Sequence, residues 1–431
     1  MIQKVKAYFG RLKGNSAVCI AAHPFWAIPY MFYTYYVSLY LEEKGISDVQ
    51  LGTLMVAGTV AATVFSFLSA PVVDFLGRRR ATLIFDFLSS ALPPLIYFFT
   101  QSFLTALIAQ VFFNANRIMS VSYYLVMIED ADDEERLVAF NLFNAISVVA
   151  GLLLPIGGLI VARLGLVDAE RIFLMASFVI MTSMILIRHR LLKETRVGEH
   201  ARERMKKEKL SAGTILKGLW QPYKDAAGFL LKNPAARSFT LANIFFCVYM
   251  NLGTNYSLYF VPYFADRLGM DAMQSSILGS VYYGGMLAAM IFINPRFGSR
   301  NLIKGILFSG LTTLLGFGLM IGIPGGIFWL AILATLVMAV GYGSLKSSVE
   351  GAFSIYTEGE YRSGIYSLAN LFSSGLGIVV TALCSVLYGR FAGWLYILCG
   401  AMVLLTLFAV AGANKRGGDP VKNDASSELV P

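Results

Sequence analysis

Long apolar runs alternate with short polar connections over most of the chain. A helix crossing about 30 Å of hydrocarbon needs roughly 20 residues. Twelve runs approach or exceed that length: residues 17–41, 49–73, 81–100, 103–127, 137–162, 171–192, 237–264, 273–294, 301–322, 326–350, 364–389 and 392–413. Ten of the eleven connections are short. The connection between runs six and seven, residues 193–236, is long, and the stretch from Arg188 to Lys209 is crowded with Arg, Lys and Glu. Trp220, Tyr223, Phe229, Leu230 and Leu231 follow, a pattern that predicts an amphipathic helix on a membrane surface. The pattern predicts an all-α membrane protein of twelve transmembrane helices. Its parts are a tail (1–16), a six-helix bundle (17–192), a basic linker with its amphipathic helix (193–236), a second six-helix bundle (237–413) and a disordered tail (414–431).

Composition sharpens this picture. Hydrophobic residues make up 57% of the 431 residues and charged residues 14%. Soluble domains carry about 45–50% and 25%, so a soluble fold and a disordered chain are both excluded. The net charge of +9 is unevenly placed. With the N-terminus in the cytoplasm, Lys44, Arg163, Arg171, Arg267 and Arg390 fall outside, Arg117 and Lys346 fall within spans, and the other 28 of the 35 Lys/Arg face the cytoplasm. This asymmetry predicts cytoplasmic termini and a plasma-membrane protein, in the inner membrane if the chain is bacterial. Charges in separate loops form no nucleic-acid surface. The first run outlasts a signal peptide and reads as a retained span. Cys19, Cys247, Cys384 and Cys399 lie in spans without metal-ligand spacing. With three His and no nucleophile–base set, neither an enzyme, a metal site nor a cofactor is expected.

The halves repeat. Gly45-Ile-Ser-Asp-Val-Gln50 after the first run is echoed by Gly269-Met-Asp-Ala-Met-Gln274 after the seventh. Gly77 is echoed by Gly298, and the acidic turn closing on Arg136 by that closing on Arg362, at offsets of 224, 221 and 226. Six spans per copy give both copies the same orientation, the parallel-repeat plan of one large transporter class. The segment Ala70-Pro-Val-Val-Asp74-Phe-Leu-Gly77-Arg78-Arg79-Arg80 then resembles the loop 2–3 signature of the major facilitator superfamily, G-x-x-x-D-R-x-G-R-R. Asp74, Gly77, Arg78 and Arg79 match; Ala70 and Phe75 depart. Phe113-Asn-Ala-Asn-Arg117 resembles the family's l-x-x-x-R-x-x-q-G motif in its Arg. Gly151-Leu-Leu-Leu-Pro155-Ile-Gly157-Gly158 resembles the antiporter motif G-P-x-x-G-G, with Leu154 in place of its first Gly and one residue fewer between Pro and Gly. The resemblance covers residues 17–413 and implies the superfamily's parallel pseudo-two-fold fold. It also implies a cytoplasmic latch made by Asp74, Gly77, Arg78 and Arg79 with acidic residues after span four, Glu129 and Asp130 first, closing on Arg136. Plain positive-inside anchoring is the other reading of the arginines. In the second half Pro295 takes the Asp position, so a latch there is weakened or absent.

The chemistry is expected where the membrane makes polar groups costly. Arg117 lies about fourteen residues into its span, and Asn114 and Tyr124 share its helix face. The resemblance implies a role for Arg117 in proton coupling or substrate binding; a structural pairing with a carboxylate is the other reading. Tyr342, Lys346 and Glu350 fall on one face of span ten, and Lys346 either lines a cavity, pairs with Glu350 or snorkels. His23, Trp26, Tyr30 and Thr34 form a stripe on span one, where His23 either carries a proton or is a hydrogen-bonded packing residue. Asn243, Asn251, Asn255 and Tyr259 recur at helical steps on span seven, and Asn141 and Asn144 are weaker candidates on span five. The embedded acids are read as Asp86 and Glu350. These residues point to a monomeric secondary transporter working by alternating access, coupled to protons. The expected cargo is a small organic anion, zwitterion or amphiphile. Multidrug efflux by drug/proton antiport is the alternative.

Overall fold

Turn chemistry sets the helix ends. Gly45 (φ 85°) and Ser47 precede a helix whose first turn is closed by a capping box: Ser47 Oγ accepts from the Gln50 amide, and Gln50 Oε1 from the Ser47 amide. The matching turn repeats the device. Gly269 has φ 66°, Asp271 Oδ1 accepts from the Gln274 amide at 2.7 Å, and Gln274 Oε1 accepts from the Asp271 amide at 3.1 Å. The repeat seen in the sequence is therefore a repeat of helix-start hardware.

The computed structural model describes residues 12–207, 223–255, 257–297, 301–357 and 362–414, and every regular element among them is a helix. The residues at 1–11, 208–222 (with Trp220), 298–300 (with Gly298) and 415–431 lie outside the described residues, as do the side chains of Asp133, Glu134, Arg136, Asn141, Pro295 and Arg362.

The chain forms two compact units. One comprises Met1–Ile215 together with Asp271–Ile277, the other Leu216–Met270 and Leu278–Pro431. The first contains α1 (Gly14–Ala22), α2 (Pro24–Glu43), α3 (Asp48–Leu76), α4 (Arg78–Asp86), a π-helical turn (Phe87–Ala91), α5 (Leu92–Phe98), α6 (Phe103–Asn114), α7 (Asn116–Ile128), α8 (Asp133–Leu152), α9 (Leu154–Leu164), α10 (Leu166–Leu191) and α11 (Arg196–Lys207). The second contains α12 (residues 223–232), α13 (Pro234–Gly253), a helical stretch of Phe260–Pro262 and Tyr263–Arg267, and the part of α14 (Ala272–Ala288) from Leu278 on (its start, up to Ile277, is counted with the first), which continues through Ala289–Ile293. It continues with α15 (Leu302–Gly322), α16 (Phe328–Tyr356), α17 (Arg362–Tyr388) and α18 (Trp394–Asn414).

Nine helical segments among the described residues are long and apolar enough to cross a membrane. The other three runs, over α1–α2, α6–α7 and α13, are helical but interrupted or more polar. Four of the twelve runs are broken. The first splits at His23, where Pro24 starts a new helix. The fourth splits at Ala115 and the fifth at Leu153, before Pro155. The seventh stops at Gly253, and Thr254 is extended (φ −127°, ψ −174°). Asn255 and Tyr259 therefore do not continue the helix face of Asn243 and Asn251. One boundary also moves. α10 begins at Leu166, which puts Glu170 inside a span; it ends at Leu191, so Arg188, counted above among the cytoplasmic charges, lies in its last turn.

The interior of the second unit depends on absent side chains. A Cβ on Gly341 of α16 would meet the Thr313 amide nitrogen at 2.6 Å, and one on Gly316 of α15 would meet the Met338 Cα at 2.7 Å. Small residues let these two backbones approach, which gains dispersion contacts in a setting with no hydrophobic drive between helices. Within the linker, residues 223–232 form α12. Its Ala226 and Leu230 are buried with Ala236, Ile244 and Phe353, while Leu231 is 72% exposed. Gly341→Leu should destabilise the purified protein by about 1–3 kcal/mol or more, read as a lower Tm. Gly412→Ala, whose new methyl meets nothing within 4 Å, should leave Tm unchanged.

Candidate transport site

The basic turn after span two is built as a knot. Gly77 (φ 82°) ends α3 and starts α4. Arg78 is buried; its Nη1 donates to Asp74 Oδ1 at 2.6 Å and its Nη2 to Glu129 Oε1 at 3.2 Å. The backbone amides of Arg78 and Arg79 donate to the Glu194 carboxylate at 2.9 and 3.2 Å, so an acid sits on the N-terminus of α4 where the helix dipole favours it. Arg79 Nη2 donates to the His189 carbonyl at 2.8 Å. Thr195 Oγ1 donates to Glu129, and the Gly198 amide donates back to Thr195 Oγ1 at 3.0 Å. Asp130 is exposed and accepts a long bond (3.5 Å) from the Arg196 amide. Arg136 lies in α8, with its side chain outside the described residues. The sequence signature thus brings Asp74, Gly77, Arg78, Arg79 and Glu129 together. Glu194 and Thr195 went unread because they looked like linker. Their bonds tie the first residues of the linker to the bundle.

A second polar group lies inside the spans. Arg188 of α10 and Asp86 of α4 form a buried ion pair. Ser90 Oγ donates to the other Asp86 oxygen at 2.6 Å, and Trp26 Nε1 donates to Ser90 Oγ at 3.0 Å. Arg188 also covers the Tyr123 ring at 5.0 Å, and Tyr123 Oη donates to the Cys19 carbonyl at 3.0 Å. The π-helical turn Phe87–Ala91 supplies Ser90, and such turns often mark functional positions. From Trp26 a row of near-parallel rings extends both ways. Tyr30 stacks at 4.4 Å and then Phe113 at 6.1 Å; on the other side come His23 at 5.5 Å and Phe143 a further 4.0 Å away. His23 is buried, and its Nε2 lies 3.0 Å from Ser147 Oγ. This geometry is that of a hydrogen-bonded packing histidine.

Arg117 is exposed on α7. Along α6, Leu104, Ile108 and Val111 form an exposed apolar stripe, at 62%, 42% and 36%. Gln110 and Asn114 are half-buried on the same helix, and Arg117 follows on α7 beyond the break at Ala115. Asn114 Nδ2 donates to the Gln110 carbonyl at 2.8 Å, and Tyr97 Oη donates to Gln110 Oε1 at 3.0 Å. Gly58 of α3 lies so close that a Cβ there would stand 2.7 Å from Asn114 Nδ2. Tyr124 packs edge-on against Phe143 at 5.6 Å, half-buried.

In the second unit Lys346 and Glu350 pair at 2.7 Å, with side chains 32% and 47% exposed. Tyr342, one turn earlier, is buried against Tyr282 and Phe246 and so belongs to the core. Asn255 Nδ2 donates to Tyr283 Oη at 2.7 Å. Asn251 is exposed and donates to the Cys247 carbonyl. Asn294, missed in the sequence, donates to Ser347 Oγ at 2.9 Å and accepts from Ser344 Oγ at 2.8 Å, beside Lys346.

Residues 19–382 match the Major Facilitator Superfamily. The chain belongs to that superfamily. Solved structures support its fold over nearly the whole length. The nucleoside transporter NupG matches at TM-score 0.66 and 16% identity, covering 94% of this chain and 100% of its own. A peptide transporter of the POT type in complex with sulfate matches at 0.67 and 12%, covering 96% and 98%. A bacterial homologue of the iron transporter ferroportin, in an inward-facing state, matches at 0.68 and 12%, covering 93% and 99%. No curated protein matches the chain. The superfamily member is a multi-pass membrane protein of the transporter class, and these identities carry the fold alone.

Breaking one side of the embedded pair should be costly. Asp86→Ala leaves Arg188 buried without its partner and should destabilise the protein by about 3–5 kcal/mol, measured as lost Tm. Adding Arg188→Met should restore much of that loss.

Proposed function

We propose that this superfamily member is a proton-coupled secondary transporter for a small organic anion or zwitterion. One observation carries the reading. Arg117 is exposed within the fourth run, on α7 just past the break at Ala115, and the half-buried Gln110 and Asn114 precede it on α6. A guanidinium facing hydrocarbon costs several kcal/mol, whereas one facing a wet path is hydrated and can be reached by a ligand. Arg117 then serves as the anion-binding group, with Asn114 and Gln110 beside it as neutral hydrogen-bonding groups. In the second unit the Lys346 ammonium, held by Glu350, is a second cation at membrane depth. The charge asymmetry of the loops supports cytoplasmic termini in the plasma membrane. Alternating access around a monomer's midplane site is the working cycle.

A thermal-shift panel on the purified protein tests the substrate class, using benzoate, dialanine, uridine and tetraphenylphosphonium. Stabilisation by the anion or zwitterion is expected; stabilisation by the lipophilic cation alone overturns the reading. Arg117→Ala should weaken binding of the stabilising ligand at least about tenfold, equivalent to about 1.4 kcal/mol, with the ligand-free Tm preserved. Unchanged binding and uphill transport in that variant would show that Arg117 has no such role.

A further inference from the structure

Among the described residues of the first unit, one buried acid at the edge of the sixth run has neither a hydrogen bond nor an ion pair. Glu170 lies one turn into α10 and is 0% exposed. Neither of its carboxyl oxygens has a hydrogen-bond partner, and it joins no ion pair among the described residues. Its surroundings follow from the register of α10 on α2. Ser177 Oγ donates to the Pro29 carbonyl at 3.2 Å, and Phe173 packs against Phe32 at 5.5 Å and Tyr36 at 6.1 Å. The helices run antiparallel, so one turn beyond Phe173 the chain delivers Glu170 among Tyr33, Tyr36 and Tyr40. All three tyrosines are buried and within reach of the carboxyl's charge. The hydroxyls of Tyr33 and Tyr40 have no hydrogen-bond partner either.

The basic neighbours form no ion pair with Glu170 among the described residues. Arg171 lies over the Phe98 ring at 4.6 Å, and Lys44 over the Tyr40 ring at 5.4 Å. Asp168 on the same helix and Arg163 on α9 are exposed, and the Tyr97 hydroxyl of α5 is taken by Gln110. An ionised carboxylate without donor or counter-charge costs several kcal/mol in such a place, while the neutral acid costs far less. The phenol groups give the ionised form somewhere to go, because their O–H bonds can donate to a carboxylate once its proton has left.

We infer that Glu170 is a proton-binding site of this carrier, loaded with H⁺ in the conformation described and discharged when water reaches the tyrosine pocket. Glu170–COOH then gives its proton to that water and becomes a carboxylate held by the tyrosine hydroxyls; reloading reverses the step. The inference rests on the proton-coupled reading above.

Infrared spectroscopy of the full chain in liposomes tests it without knowledge of the substrate. The wild type should show the C=O stretch of a protonated carboxylic acid, converted to carboxylate on alkaline titration. Glu170→Gln should lack that band, and Asp168→Asn should keep it. Glu170→Gln imitates the neutral acid, so its Tm should stay near that of the wild type; failure to fold would overturn the inference, as would a band unchanged by the substitution. Sodium chloride that abolishes the band at constant pH would make the pocket a metal-cation site and also overturn it. Proton flux in proteoliposomes, driven by whichever panel ligand stabilises the protein, separates this inference from the reading beneath it. No flux in the wild type defeats the coupling reading and leaves Glu170 to the infrared result. Flux retained in Glu170→Gln defeats Glu170 as the coupling acid and leaves the coupling reading standing.

Discussion

Hydrocarbon solvates neither charge nor an unmade hydrogen bond, and nearly every feature of this molecule answers to that fact. Backbone groups are satisfied inside helices because no other partner is available at membrane depth. Side-chain charges inside the first unit are handled in three ways. Arg188 and Asp86 neutralise one another and spread their remaining bonding capacity over Ser90, Trp26 and Tyr123. Arg117 stays exposed just past the break at Ala115. Glu170 is enclosed with phenols and, among the described residues, has neither a hydrogen bond nor an ion pair, as suits a neutral acid.

These solutions are linked through shared helices. α10 carries Glu170 near one end and Arg188 near the other, with Ser177 between them fixing its register on α2. α2 presents its tyrosines to the first and, through Trp26 and Ser90, reaches the second. The ring row from Phe143 to Phe113 joins the buried pair to the helix that precedes Arg117. A shift of α2 along α10 would therefore disturb the acid pocket, the Trp26 bond and the ring row together. At the basic turn, Glu194 and Thr195 tie the start of the linker to Arg78 and Glu129, so the linker begins as part of the bundle.

The helices and their repeat were legible because they depend on short-range rules. Run length marks a span, and the Gly45–Gln50 and Gly269–Gln274 turns announce capping boxes that both form. The Asp74–Gly77–Arg78 cluster was legible for a similar reason, since turn and ion pair lie within four residues. The pairing of Lys346 with Glu350, one helical step apart, was one of the readings its spacing allowed. The breaks at Ala115 and Thr254 were less visible, because apolar residues continue across them and hydropathy does not register a change of backbone direction.

What the sequence determined by itself is therefore the membrane class, the helix-start chemistry, the repeat and the local ion pairs. The tertiary structure decided which distant groups meet. Arg188 finds Asp86 across 102 positions, Glu194 reaches the amides of Arg78 and Arg79, and Glu170 is shut among tyrosines. The physical reason is that hydropathy and helical spacing act over a few residues, whereas the cost of a buried charge is set by whatever the packing of other helices brings beside it.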